Sequence, residues 1–195
     1  MRIHLVFLSM ILLTFLSISL ADNAYVNLKM GYSKSMMMSE NIPDFEKSDI
    51  FNLVDLSIGY KFRNMRFGIG GMVSTWVEEN QNVVSSWPLT IYSEVGFDFV
   101  PRLTVDMGPS FCLGVNSMDL NTSGGSGTVM GIFTRGGLFF SMNMGGPVFF
   151  SGFAGVEYRM MNGNLGTLDV NLNNFSLTII MGVDYDLGDL LITIR

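Results

Sequence analysis

The sequence predicts an all-β protein, an eight-stranded antiparallel up-and-down transmembrane β-barrel. Three observations predict this fold. Apolar and charged residues alternate with a period of two, eight segments are long enough to cross a membrane, and the connections alternate between short and long. A period of two gives a strand two chemically different faces. In a membrane barrel, the apolar face meets lipid and the polar face lines the interior.

The eight predicted strands cover 24–35, 49–62, 66–77, 88–99, 103–116, 128–142, 147–160 and 174–187. Each exceeds the 9–11 residues or so that a tilted strand needs to cross a membrane. Short turns are predicted at 63–65, 100–102 and 143–146, and long loops at 36–48, 78–87, 117–127 and 161–173. Short turns on one side and long loops on the other are typical of outer-membrane barrels, where the short turns face the periplasm.

Five charged residues take the inward-facing positions of their predicted strands: Lys29, Asp55, Glu94, Arg135 and Glu157. An eight-stranded barrel has an interior just wide enough for side chains to fill. Because an unpaired charge in such a space is costly, we expect opposite charges to pair there. The sequence therefore predicts a charge network inside the lumen.

Eight aromatic residues share the outward, apolar parity and lie close to the short turns or to the end of the last strand. They are Tyr60, Phe62, Phe67, Phe97, Phe99, Phe140, Phe150 and Tyr185. Aromatic side chains gather at membrane interfaces, where they form girdles around barrels. The pattern predicts a girdle on the periplasmic side.

Composition agrees with a membrane barrel that is exported. Hydrophobic residues make up 48% of the chain and charged residues 14%, whereas soluble domains average about 25% charged. The one long apolar run lies in residues 1–21, where Arg2 precedes Leu5–Leu16 and a small-residue site ends at Ala21. This order predicts a signal peptide over 1–21 and a barrel domain over 22–195.

The segment Gly182-Val-Asp-Tyr-Asp-Leu187 has the form Gly-x-x-aromatic-x-hydrophobic that closes many outer-membrane barrels. With the strand pattern over 24–187, the chain resembles the small eight-stranded bacterial outer-membrane barrels of the OmpA, OmpX and OmpW group. The resemblance implies export to the periplasm of a Gram-negative-type bacterium, insertion by the barrel-assembly machinery, and contact with outer-membrane lipids. The chain departs from the pattern by continuing over 188–195 without a terminal aromatic residue. Either a short tail follows the last strand, or 190–194 pairs and the strand is shifted.

The chemistry available in the mature chain argues against an enzyme. The one histidine, His4, lies in the predicted signal, and barrel hydrolases resemble one another in needing a histidine base. Glu94, Asp98 and Asp106 could form a carboxylate site, although a charge network explains them better. No cofactor and no metal site is predicted. The net charge of −6 leaves no basic surface for nucleic acid.

The sequence therefore predicts a non-enzymatic barrel with a structural or surface-interaction role, with any surface ligand meeting the loops at 36–48, 78–87, 117–127 and 161–173. One alternative is a conduit for small solutes or hydrophobic molecules, which the OmpW resemblance implies. A weaker alternative is a secreted lipocalin-like barrel with its apolar residues inside.

Overall fold

A computed structural model describes residues 24–40, 49–77, 84–85, 87–99, 105–122 and 125–187. The predicted signal peptide and the 188–195 tail lie outside the described residues. The described part forms nine strands: β1 (Ala24–Glu40), β2 (Asp49–Phe62), β3 (Met65–Val77), β4 (Val84–Ser85), β5 (Leu89–Phe97), β6 (Val105–Thr122), β7 (Gly125–Gly145), β8 (Val148–Leu165) and β9 (Leu168–Asp186). Within this part, no helix is long and apolar enough to span a membrane.

The strands close into an antiparallel ring in the order β1-β2-β3-β5-β6-β7-β8-β9. The ring is closed by β1 and β9, which pair from Tyr25↔Asp186 to Glu40↔Leu172. The two-residue β4 pairs with β6 beyond the point where the β5–β6 pairing ends. It therefore occupies the same place in the barrel wall as β5 and is not a ninth strand of the ring. The prediction of an eight-stranded up-and-down barrel is confirmed.

The predicted loops at 117–127 and 161–173 are wrong. Paired strand runs through most of both segments: β6 reaches Thr122 and β7 begins at Gly125, while β8 and β9 meet around a tight turn at Gly166. A positive φ of 64° at Gly166 suits glycine, which has no Cβ to clash. Of the other two predicted loops, 36–40 belongs to β1 and 84–85 to β4, and 41–48, 78–83 and 86 lie outside the described residues.

The misassigned segments are strands whose polarity is reversed. Across the middle of the barrel, outward side chains are apolar, and Leu28 is 55% exposed. At the outer ends of β6 and β9, Asp119 and Asn171 point outward, while Met118 and Leu172 are buried inward. Once a strand leaves lipid, its outward side meets water and favours polar residues, and its inward side packs against other apolar residues. The polarity inversion therefore marks where the barrel wall leaves lipid at the end opposite the short turns, and the expected polar interior is wrong beyond it.

Two outward positions on β8 test where lipid ends. We expect Val156→Arg to lower the free energy of folding into phospholipid vesicles by about 2–4 kcal/mol, because a cation would face the middle of the bilayer. Asn162→Arg, six residues further along the same outward face, would face water above the polarity inversion, so its effect should stay within about 0.5 kcal/mol. Urea titration of both variants measures the difference, and equal losses would contradict the assigned lipid face.

Candidate functional site

The barrel interior is filled by side chains, several of them aromatic rings resting on inward glycines. A Cβ added at Gly70 would overlap the Tyr92 ring, and one at Gly155 would overlap both the backbone of Gly136 on the next strand and the Phe153 ring. Any larger residue at these glycines would displace a ring. The glycine positions are thus what lets a narrow barrel hold large interior side chains.

The middle of the lumen is bridged by a buried ion pair. Arg135 on β7 donates from Nη1 to Asp55 Oδ2 on β2 at 2.9 Å, and both residues are at most 2% exposed. Strands β2 and β7 are four positions apart in a ring of eight, so this contact spans the barrel. Tyr92 also donates to Asp55, and its ring lies 5.1 Å from the Arg135 guanidinium carbon.

A second buried guanidinium crosses the lumen above the first. Arg159 Nε donates to Glu157 Oε1 at 2.7 Å on the same strand, β8. Its Nη2 reaches Asn52 on β2 at 3.4 Å and Ser74 on β3 at 3.3 Å, on the far side of the ring. The sequence analysis missed Arg159, although its position two residues after Glu157 gives it the same inward parity.

Nearest the short turns lies a turn-side charge cluster, composed of Lys61, Arg66, Asp98, Asp106 and Asp184. Arg66 contacts all three carboxylates, with Nε 3.3 Å from Asp98, Nη2 3.1 Å from Asp106 and Nη1 3.6 Å from Asp184. Lys61 bonds Asp106 and lies 3.6 Å from Asp98. Asp98 and Asp106, considered above as part of a carboxylate site, are therefore held in ion pairs. The sequence analysis had not assigned either basic residue.

Three of the five predicted network residues lie in ion pairs: Asp55, Arg135 and Glu157. The other two differ. Within the part of the chain that the structure describes, neither Lys29 nor Glu94 forms an ion pair, and Glu94 accepts a hydrogen bond from Ser110 Oγ at 2.8 Å. The structure thus separates the predicted network into distinct pairs and two remaining charges.

The outer end of the lumen is closed by an outer cap of buried apolar side chains. Its members are Ile50, Trp76, Met118, Leu120, Val129, Met161, Leu165, Val170 and Leu172. They come from β2, β3 and β6–β9, so both long hairpins and the opposite wall contribute. None of them is more than 6% exposed.

The eight residues of the predicted girdle are all half-buried or exposed, as outward positions require. Phe140 and Phe150 form a tilted pair with ring centroids 5.8 Å apart on neighbouring strands. They stand near the end of the barrel that carries the turns at 63–64 and 146–147. Among the described residues, no group of three or more His, Cys, Asp or Glu side chains could hold a metal ion.

Comparison with known proteins identifies the fold of the chain. No family model matches the chain, and no curated protein matches it. Among solved structures, neisserial surface protein A is similar at 17% identity, with 83% of this chain and 96% of that chain covered and a TM-score of 0.58. The outer membrane protein OprG from Pseudomonas aeruginosa is similar at 10% identity, with 85% and 96% covered and a TM-score of 0.50.

The chain has the fold of the small eight-stranded outer-membrane barrels. Among the described residues, each of the eight strands of the ring pairs with a neighbour on both sides, and the mid-barrel exterior is apolar. These are the two properties that allow strands to cross a lipid bilayer. The fold and the apolar exterior together are those of a barrel that spans a lipid bilayer.

The cross-lumen pair can be tested by a double-mutant cycle. We expect Arg135→Met to lower the free energy of unfolding by about 3–5 kcal/mol, because it leaves Asp55 as an uncompensated buried charge. Adding Asp55→Leu should recover much of that loss, because apolar replacement of both partners is often neutral. The exposed arginine in the turn, changed as Arg63→Met, is the control. Guanidinium unfolding in detergent measures all variants, and additive losses would mean that the two side chains do not interact.

Proposed function

We propose that the protein is a non-enzymatic outer-membrane barrel with a structural or surface-interaction role, closed to solutes by its own side chains. The observation that carries this proposal is the outer cap. Its apolar side chains fill the lumen where a solute from outside would have to enter. The Arg135–Asp55 bridge lies below it as a second obstruction.

The conduit alternative lacks a path in the described part of the barrel. A small-solute channel needs a continuous polar lumen, whereas the outer cap is apolar and buried. A hydrophobic-molecule conduit needs space between apolar walls, and the cap residues occupy that space themselves. The lipocalin-like alternative is disfavoured because its exterior would expose leucines, isoleucines and phenylalanines to water around the whole circumference.

A surface ligand would meet paired strands rather than long flexible loops over much of the outer end. The β6–β7 and β8–β9 hairpins extend past the polarity inversion and turn Asp119, Thr128, Asn162 and Asn171 outward. Their inward residues belong to the outer cap, which fixes the hairpins from inside. The segments 36–48 and 78–87 complete this proposed interaction surface.

The non-enzymatic part of the proposal is supported by side-chain chemistry. The sequence has no histidine after His4, and the carboxylates of Asp98 and Asp106 are ion-paired. A signal peptide over 1–21 and recognition of the β9 end by the barrel-assembly machinery belong to the same proposal. Gly182 and Tyr185 of the closing motif lie in the strand that pairs with β1.

Planar-bilayer recordings test the closed lumen. We expect the wild-type barrel and Arg135→Met to show no steady single-channel conductance, because the outer cap remains in both. Only the combination of Arg135→Met and Arg159→Met with Trp76→Ala and Leu172→Ala should conduct, since it opens the outer cap and removes both guanidinium groups that cross the lumen. A large steady conductance of the wild type would refute the closed barrel and favour a conduit.

Cysteine labelling on intact cells tests which end faces outward. In a Cys112→Ser background, we expect Thr167→Cys in the β8–β9 turn to react with a membrane-impermeant maleimide. Asn64→Cys, in the turn at the opposite end, should react only after the outer membrane is permeabilised. Both positions are exposed in the structure, so the difference reports sidedness alone. The reverse pattern would invert the orientation.

A further inference from the structure

Beyond the polarity inversion, the outward face of the β8–β9 hairpin consists almost entirely of asparagine and aspartate. Tyr158 and Phe175 pair across the two strands and are each 37% exposed, and aromatic side chains of this kind gather at the membrane interface. Six outward positions of the two strands lie beyond this pair, and Met160 is the one that is neither Asn nor Asp. The other five form the Asx face: Asn162, Asn164, Asp169, Asn171 and Asn173.

This composition opposes the local preference of a strand. Asn and Asp are depleted in β-strands, whereas threonine would suit an outward, water-facing position better. On β7, the outward positions in the same surroundings are Ser126 and Thr128. Contact with water therefore explains why the Asx face is polar, but it does not explain why the polar residues are asparagines. Local choices that conflict with the fold are expected at functional sites.

Hydrogen bonds hold part of the Asx face in one orientation. Tyr158 Oη donates to Asn173 Oδ1 at 3.1 Å, and Asn173 Nδ2 donates to Asn171 Oδ1 at 2.8 Å. The series begins at the aromatic pair and runs along β9 away from lipid. Asn162 pairs with Asn171 across the hairpin, and facing Cβ atoms in such a pair lie about 4.5–5.5 Å apart. The amides are thus ordered before a ligand arrives, which lowers the entropic cost of binding.

The groups on the Asx face suit a ligand rich in hydroxyl groups better than a charged one. A side-chain amide offers an acceptor oxygen and two N–H donors, and a sugar hydroxyl can both donate and accept. A phosphate is bound most strongly by cationic donors, but within the described strands β8 and β9 no Lys or Arg points outward. Calcium takes six to eight oxygen ligands, carboxylates among them, and Asp169 is the one carboxylate of the face.

We propose that the Asx face binds the sugar headgroup of a glycolipid. This inference rests on the proposed surface-interaction role and names its partner. A membrane lipid is the expected occupant because the face continues the lipid-contacting wall, with Leu177 and Phe175 preceding Asn173 along the outward side of β9. Acyl chains would pack against that wall, and the headgroup would lie beside the asparagines. A headgroup anchored in the same leaflet meets the face at a high effective concentration.

Native mass spectrometry of the refolded chain, released from lipid nanodiscs, tests the proposal. The nanodiscs contain equal amounts of digalactosyl diacylglycerol, phosphatidylcholine and phosphatidylglycerol with the same acyl chains. We expect the barrel to retain the galactolipid at least five-fold more often than either phospholipid. Phosphatidylcholine shows whether any headgroup is sufficient, and phosphatidylglycerol shows whether negative charge attracts the lipid.

Variants locate the binding on the Asx face. The double variant Asn171→Thr with Asn173→Thr should retain the three lipids within two-fold of one another, because threonine lacks the amide N–H donors. Threonine favours strands, so heat-dependent gel mobility should show that this variant is folded. Asn64→Thr makes the same change in an exposed turn at the opposite end of the barrel and should keep the galactolipid preference.

Several outcomes would overturn the proposal. They are equal retention of the three lipids by the wild type, a preference for phosphatidylglycerol, and a galactolipid preference that is unchanged in the double variant. A dimer that retains no galactolipid would assign the face to a second copy of the chain and would also overturn it. The closed lumen is decided separately by the wild-type conductance, so failure of this inference and failure of the closed barrel are distinguishable.

Discussion

Backbone pairing in lipid is the constraint on which the rest of this structure depends. A bilayer offers no hydrogen-bond partners, so strands can cross it only if the sheet has no open edge. The pairing of β1 with β9 meets this requirement, and it fixes how many strands the ring contains. With eight strands the enclosed space is narrow, and its contents follow from that width.

Two kinds of packing fill the narrow interior. Glycines make room for rings such as Tyr92 and Phe153, and guanidinium groups reach across to partners on the opposite wall. A buried ion pair is not in itself strong evidence of stability, because desolvation offsets much of the attraction. Its consequence here is geometric, since Arg135 and Arg159 occupy the path that a solute would need.

The polarity inversion links the membrane boundary to the proposed role. The strand period is the same on both sides of the boundary, but the surroundings change from lipid to water. Outward residues must therefore change from Ile179 and Leu177 to Asn173 and Asn171 along β9, while inward residues become apolar. One change of solvent thus accounts for both the closed lumen and the hairpins that a surface partner would meet.

The sequence by itself determined the eight strands, the short turns predicted at 63–65 and 143–146, and the inward parity of Arg135 and Asp55, because these depend on a local period of two. The turn predicted at 100–102 lies outside the described residues. It did not determine the outer ends of β6–β9, whose outward Asn and Asp residues resemble a loop until their inward partners are known. It also left open which charges pair. Partners such as Arg135 and Asp55 are 80 residues apart in the chain. Only the stagger and tilt of the closed ring bring them to one level, and the same geometry leaves Lys29 and Glu94 apart.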